Sequence, residues 1–362
     1  MSLSVVGIGT AVPEFEIDQA DAAEQASELC YEDAEQRRRV KTLYRRTGVQ
    51  KRRSVVLQSA TNGRSAQQTF YASSSQLAQG PTTAERMLAY ERHAGPLAIE
   101  AASRAIANAT VSPFDISHVI TVSCSGFSAP GLDIEIVGEL GLSAGVARTH
   151  IGFMGCHGAL NGLRVARAFA EADTDACVLL CAVELCTLHL QYGWLPDQIV
   201  ANALFADGAA ALVARRTTAA DSGWQLVDQA SAVIPGSREL MSWRVRDHGF
   251  QMTLSSELPG LIGHALEPWL AAWLGRHGLT IAQIASWAIH PGGPRILSSC
   301  SDSLGLAAGK LADSQAILAE CGNMSSPTIL FVLDRLRRRE APGPCVALAF
   351  GPGITIEAAL FA

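Results

Sequence analysis

Ala176-Cys-Val-Leu-Leu-Cys-Ala-Val183 is an unbroken apolar run closed by Glu184. With no polar alternation it has no solvent side, so it reads as a strand covered on both faces. A strand of this kind needs a helical layer above and below it. The chain supplies the material: strand-like Val5 to Thr10, helical Asp18 to Cys30, helical periodicity from Ala89 to Ala107, and strand-like Ile116 to Val122. Such alternation predicts an α/β protein with a parallel or mixed sheet between helix layers.

The run also belongs to a unit that occurs twice. Thr149 to Phe169 reads as a strand end, a tight Gly155-Cys156 turn and a helix, with Cys177-Val178 opening the next strand. A shift of 168 residues (from 177 to 345) puts Cys345-Val346 in the place of Cys177-Val178 and Met324 in the place of Cys156. The reading is two copies of one strand, turn and helix unit facing each other, Gly322-Asn323 opening the second helix. Arg215 to Gly223 is small and polar, which divides the chain into an N-terminal half, 1–220, and a C-terminal half, 221–362. Residues 54–84, rich in Ser, Thr, Gln and Gly, read as an irregular surface segment. In the second half a strand is expected near Trp224 to Val227, a hairpin at Val245 to Ser255 and a helix from Pro259 to His277.

Several function classes are excluded early. At 362 residues, 48% hydrophobic and 17% charged, the chain has the composition of a compact globular protein. Its formal net charge of −6, with lysine only at positions 41, 51 and 310, gives no general attraction to nucleic acid. No apolar run reaches the roughly 18 residues of a membrane span, and the N-terminus lacks a signal-peptide pattern, so a cytoplasmic protein is expected. Nine scattered cysteines read as reduced thiols, and Cys177, Cys181 and Cys186 lack zinc-ligand spacing.

Three residues fall where strand ends of such a sheet converge: Cys156 at a helix start, His290 after the apolar strand Trp287-Ala-Ile289, and Asn323 at the second helix start. A thiol at a helix N-terminus can have its pKa lowered to roughly 3.5–7.5. An imidazole can hold the thiolate, and His and Asn N–H groups can stabilise an oxyanion, so the set suits thioester chemistry. Taken singly, a buried cysteine is more often inert packing and a lone histidine a satisfied core residue. Pro291-Gly-Gly-Pro294 tips the balance, since that sequence breaks a strand where backbone must approach a ligand closely. A basic cluster from Arg37 to Arg53 is either a solvated helix face or a phosphate-binding rim.

Gly155-Cys156, Phe205-Ala-Asp-Gly-Ala-Ala-Ala211, His290-Pro-Gly-Gly-Pro294, Gly322-Asn323-Met-Ser-Ser326 and Phe350-Gly-Pro-Gly-Ile-Thr-Ile-Glu357 resemble, in order and spacing, the chalcone synthase-like type III polyketide synthases. The resemblance covers nearly the whole chain. It implies a thiolase-like, five-layered α-β-α-β-α fold built from two duplicated halves with mixed sheets, assembled as a homodimer. It implies that Cys156 takes a starter acyl group from coenzyme A, and that His290 and Asn323 promote decarboxylation of malonyl-CoA. It assigns Phe205 as an aromatic gate, Gly292 and Gly293 to the pantetheine tunnel, and Ser325 and Leu254 to substrate contact. Arg39 and Arg46 are implied for the coenzyme A phosphates, Thr42 standing where a third basic residue is usual.

The cavity departs from the plant pattern. Cys124 and Ser125 stand where Thr and Ser are usual, Cys186 and His189 replace two threonines, Met252 stands for phenylalanine and Trp243 for a small glycine, while Ala129 replaces a methionine that reaches into the partner's cavity. A bacterial-type member with a reshaped cavity is implied. Coenzyme A thioesters are its expected substrates, an acyl carrier protein a further acyl donor, and no metal or redox cofactor is needed. The alternative is a ketoacyl synthase III-like enzyme making a single condensation. A papain-like hydrolase would share Cys, His and Asn but not the repeat.

Overall fold

The structure, a computed structural model, describes residues 3–59, 66–75, 79–218 and 224–362. The N-terminal half runs β1 (Leu3–Ala11), β2 (Glu16–Asp18), α1 (Gln19–Cys30), α2 (Ala34–Arg45), β3 (Lys51–Arg53), β4 (Leu57–Gln58), β5 (Gln67–Gln68), α3 (Thr83–Ala109), β6 (His118–Ser123), α4 (Leu132–Glu139), β7 (Ala147–Gly152), α5 (Gly158–Ala172), β8 (Cys177–Leu185), α6 (Pro196–Leu204) and β9 (Asp207–Arg216). The C-terminal half runs β10 (Gln225–Val233), β11 (Met241–Arg246), β12 (Gly249–Leu254), α7 (Leu258–Gly275), β13 (Ser286–Ile289), α8 (Pro294–Ser303), α9 (Ala312–Cys321), α10 (Thr328–Arg338), β14 (Cys345–Gly351) and β15 (Thr355–Phe361).

Strand order shows the duplication directly. The N-terminal strands lie in the order β7-β6-β8-β9-β1 and the C-terminal ones in the order β13-β14-β15-β10. In the first half the parallel strands β7-β6-β8, and in the second the parallel pair β13–β14, continue into antiparallel neighbours. The second half is therefore the first without its edge strand. A short pairing of Leu3 with Leu226 and Ser4 with Gln225 joins the two into one nine-stranded mixed sheet.

Burial divides the molecule into five layers. In β8, Val178, Leu180 and Ala182 pack inward with Leu160 and Leu163 of α5, while Cys177, Leu179, Cys181 and Val183 pack outward under α3 and α4. In β14, Cys345, Ala347 and Ala349 point to the same central core, which α10 enters through Ile329 to Leu336, and Val346, Leu348 and Phe350 pack outward under α7 and α8. Both strands are apolar throughout because both are covered twice. Each fully buried leucine in the α5 and α10 layer contributes roughly 1.5–3 kcal/mol.

Several expectations shift. β8 and β14 begin 168 residues apart, at Cys177 and Cys345, but α10 begins at Thr328, not at Gly322-Asn323. Pro327 disfavours helical backbone in the residue before it and sits well as the helix's lead-in. Asn323 lies instead in a parallel bridge with Phe205. The hairpin starts earlier than expected, at Met241, and α3 is extended to Thr83 by a capping box of Thr82 and Glu85. Within the segment expected to be irregular, Leu57 pairs with Gln68; residues 60–65 and 76–78 lie outside the described residues. The division expected at residue 220 falls in 219–223, also outside them. Among the described residues no helix is long and apolar enough to cross a membrane.

Candidate active site

Cys156 is presented by a turn that only glycine can make. Gly155 has φ +69°, and a Cβ there would lie 2.4 Å from Cδ of Pro352. Its N–H donates to Sγ of Cys124 at 3.0 Å, and Gly155–His157 then form one 3₁₀ turn leading into α5. His157, next in sequence, is held by Asn161 and Thr355 and is a packing residue.

His290 ends β13, its backbone N–H extending the parallel ladder to Leu348 at 2.8 Å. Its side chain is 1% exposed, yet neither ring nitrogen has a hydrogen-bond partner. An orphaned buried imidazole is expensive unless a ligand completes it. Asn323 is locked by its backbone N–H to Leu204, its carbonyl to Ala206, and its Oδ1, which accepts the Ser325 N–H at 2.8 Å. That leaves the amide nitrogen to donate toward Cys156. Ser325 Oγ, at φ +57°, donates to Cys156 Sγ at 3.5 Å.

Electrostatics run against the expected thiolate. Burial pushes the Cys156 thiol up to about 11, only partly offset by hydrogen bonds from Ser325 and Asn323. Burial likewise pulls His290 down to about 3, with the His157 charge adding to it. Both shifts favour the neutral thiol and the neutral imidazole in the substrate-free site, since the desolvation of a thiolate at half-buried Cys156 outweighs one short turn of dipole.

Three neighbouring cavities share lining residues around this point. The entrance, about 410 Å³, is lined by Leu43, Arg46, Thr47, Leu254, Gly292, Gly293 and Arg295 and ends at Cys156, His290 and Asn323. A small chamber of about 30 Å³ lies on the far side of Cys156, against Cys124, Ser125, Glu184, Cys186, Trp243 and Ser325. A further apolar chamber of about 90 Å³ extends beneath α1 and α6, past Cys186, His189 and Phe250 to Ala22, Ala26, Leu29, Leu57 and Tyr71. Phe205 and Met252 line all three, and Trp243 lines the two inner ones.

The dividing wall is held by hydrogen bonds and ring stacking. Trp243, paired with Met252 across the β11–β12 hairpin, donates its indole N–H to the Cys124 carbonyl at 2.8 Å. His189 donates through Nε2 to the Ser125 carbonyl at 2.6 Å, accepts the Phe250 N–H at Nδ1 and stacks on Phe250 at 4.3 Å. With both nitrogens used and its pKa pulled by burial to about 3, His189 is a neutral wall element. Behind the wall Glu184, fully buried, accepts from Cys124 N, Ser125 N, Ser125 Oγ and Ser326 Oγ at 2.7–2.9 Å. Sequence reading passed over this carboxylate, although a lone charge closing an apolar run signals a buried, multiply bonded group. It also passed over Met241, Pro352 and Arg295.

The basic cluster separates into individuals. Arg46 lines the entrance, whereas Arg39 is ion-paired with Glu35 one helical turn away and is not among the lining residues. Lys41 pairs with Glu24, Lys51 and Arg53 pair with Glu16, and Arg52 is buried, donating to the carbonyls of Asn202 and Phe205. Most of the cluster is structural or solvated.

Fold and site together define a thiolase-like acyl-transfer enzyme. Sequence models of chalcone and stilbene synthases match this chain over residues 2–216 for the N-terminal domain and 225–362 for the C-terminal domain. The chain is 33% identical to the alpha-pyrone synthesis polyketide synthase-like Pks18 of Mycobacterium tuberculosis, over 99% of this chain and 90% of that protein. It is also 33% identical to 1,3,6,8-tetrahydroxynaphthalene synthase of Streptomyces peucetius subsp. caesius, over 98% of this chain and 91% of that one. The crystal structure of PKS-I from the brown alga Ectocarpus siliculosus superimposes with a TM-score of 0.92 at 29% identity, covering 99% of this chain and 98% of that one. The chain belongs to the chalcone and stilbene synthase family and is a type III polyketide synthase, an acyltransferase.

Proposed function

We propose that the enzyme condenses an acyl-CoA starter with malonyl-CoA units on Cys156 and then cyclises the chain. Cys156 Sγ attacks the starter thioester carbonyl, the C–S bond to coenzyme A breaks, and the thiol proton passes through His290 to the leaving sulfur. The malonyl group then loses CO₂. The electron pair of the broken C–C bond moves into an enolate, whose oxygen accepts N–H bonds from His290 and Asn323. The enolate carbon attacks the acyl carbonyl on Cys156, forming a C–C bond and releasing the sulfur for another round. These steps call for no metal or redox cofactor, because decarboxylation supplies the electrons. Ring closure after two or more extensions gives a pyrone, resorcinol or phloroglucinol-type product.

The observation that carries this reading is the buried His290 imidazole with both nitrogens unpartnered, in one cavity with Cys156 and Asn323. Phe205, at the junction of the three cavities, serves as the gate. A homodimer is proposed from the exposed edge: β7 ends the nine-stranded sheet, and beside it Phe127 and Phe153, 60% and 54% exposed, stand 6.4 Å apart. An acyl carrier protein is a further donor to test.

Incubation with malonyl-CoA and a panel of acyl-CoA starters, read by mass, tests the reading. Cyclised products of two or more extensions are expected. A single 3-oxoacyl thioester from every starter would move the assignment to a ketoacyl synthase III-like enzyme.

A further inference from the structure

The inner apolar chamber of about 90 Å³ carries two polar groups that the protein leaves unfinished. Ala22, Ala26 and Leu29 of α1 line it at helical spacing, as do Gln198, Ala201 and Asn202 of α6, so each helix turns one face toward it. Tyr44 of α2 lines it too, and Gln19 ties α2 to α6, its Nε2 donating to the Ala203 carbonyl at 2.7 Å and the Tyr44 carbonyl at 3.4 Å. Tyr44 is 1% exposed and its hydroxyl has no hydrogen-bond partner. Gln198 is 5% exposed, and its side-chain amide has none among the described residues. The other polar side chains on the wall are engaged. Gln25 donates to the Ala66 carbonyl at 2.8 Å, Gln68 exchanges bonds with the Tyr71 backbone, and Asn202 does so with the Gln191 backbone. Arg52, its guanidinium carbon 5.5 Å from the Tyr44 ring centroid, spends Nη1 on the carbonyls of Asn202 and Phe205. Burial, opposed by the Arg52 charge, raises the Tyr44 pKa, so the hydroxyl stays a neutral donor.

A buried polar group left unpaired costs free energy, so two of them on one apolar chamber call for a ligand that completes both. A phenol hydroxyl donates and accepts, and a primary amide does each through a separate atom. A hydroxyl on the ligand can accept from one and donate to the other, whereas a methyl end leaves both unpaired. Its remaining length has to suit aliphatic walls such as Leu29, Val56 and Leu57. We propose that this chamber receives the tail of the acyl starter, and that Tyr44 and Gln198 select an aliphatic chain carrying a hydroxyl at its far end. This rests on the acyl-CoA reading above. Phe205 and Met252 line both this chamber and the cavity that holds Cys156, so the tail enters past these two side chains, and the flexible thioether of Met252 suits such a threshold.

Acyl loading of Cys156 is followed by intact-protein mass spectrometry at limiting starter, with hexanoyl-, octanoyl- and decanoyl-CoA, each with and without a terminal hydroxyl. At the best-fitting length the wild type should load the hydroxylated chain about tenfold more efficiently than its unsubstituted partner. Tyr44→Phe removes only the unpartnered hydroxyl, and Gln198→Met keeps the length of the side chain. Each should lower that ratio to about threefold or less. Tyr44→Phe should also unfold no earlier than the wild type on heating, because it removes no protein contact; earlier unfolding would show a hydroxyl bonded within the protein and would overturn the proposal. So would a wild-type ratio within about twofold of parity at every length, or a ratio that either variant leaves unchanged. Loading precedes malonyl-CoA, so the two readings fail separately. Preferential loading with no extended product after malonyl-CoA is added would strike the polyketide reading alone, and extended products without the preference would strike this one alone.

Discussion

The turn before α5 and the turn before α10 are copies of one design with opposite uses. In the first, Gly155 throws the backbone into the left-handed region and Cys156 meets the cavity. In the second, Met324, at the position corresponding to Cys156, is fully buried, and Gly208 lies so close that a Cβ there would sit 2.4 Å from its Sδ. The residue before it, Asn323, faces the site instead. The difference teaches that duplication supplied two strand ends aimed at one point, and a change of one residue's register decided which side chain each presents. β8 and β14 diverge in the same way. One carries Glu184 as its next-to-last residue, tying the turn after β6 to Ser326 of the other half, and the other ends in Phe350-Gly351, which leaves room for the His157 ring.

Breaking the first copy should have the largest effect. Cys156→Ala is expected to cut condensation about a thousandfold or more while leaving malonyl-CoA decarboxylation by His290 and Asn323 measurable. Condensed product at the wild-type rate would end the nucleophile assignment. The second copy should respond in stability. Met324→Ala empties a sealed core position and should cost about 2–5 kcal/mol in denaturant unfolding; a smaller cost would mean that the turn relaxes around the gap. Trp243→Gly sharpens the comparison from the wall between the copies. It opens the 30 Å³ chamber into its 90 Å³ neighbour, and should shift preference toward larger starters or longer products by about tenfold, read by mass over a starter series. The smallest change concerns pH. Since burial pulls His290 from 6.5 to about 3, the imidazole is neutral above about pH 4. Decarboxylation by the Cys156→Ala protein should then show no inflection between pH 5 and 8, and an inflection near 6.5 would show a solvated histidine.

Much of this was legible because the strands carry few alternatives. Cys177 to Val183, without polar alternation, reads as a strand covered twice, and His290-Pro-Gly-Gly-Pro294 reads as the end of one. What stayed hidden depended on long-range packing. The start of α10 was misplaced because the repeat was counted from strands, while Pro327 delays the helix. The pairing of Arg39 with Glu35 was not legible because position along a helix does not say which charge Glu35 will claim. The upward push on the Cys156 pKa was not legible because a helix start is visible in sequence and burial by distant elements is not.

The account turns on Cys156 carrying the acyl chain while the other eight cysteines do not. Intact-protein and peptide mass spectrometry after brief exposure to an acyl-CoA starter, without malonyl-CoA, tests that most directly. The expected result is one acyl adduct per chain, on the peptide containing Cys156 and absent from the Cys156→Ala protein. An adduct on Cys124 or Cys186 that persists in that variant would contradict it.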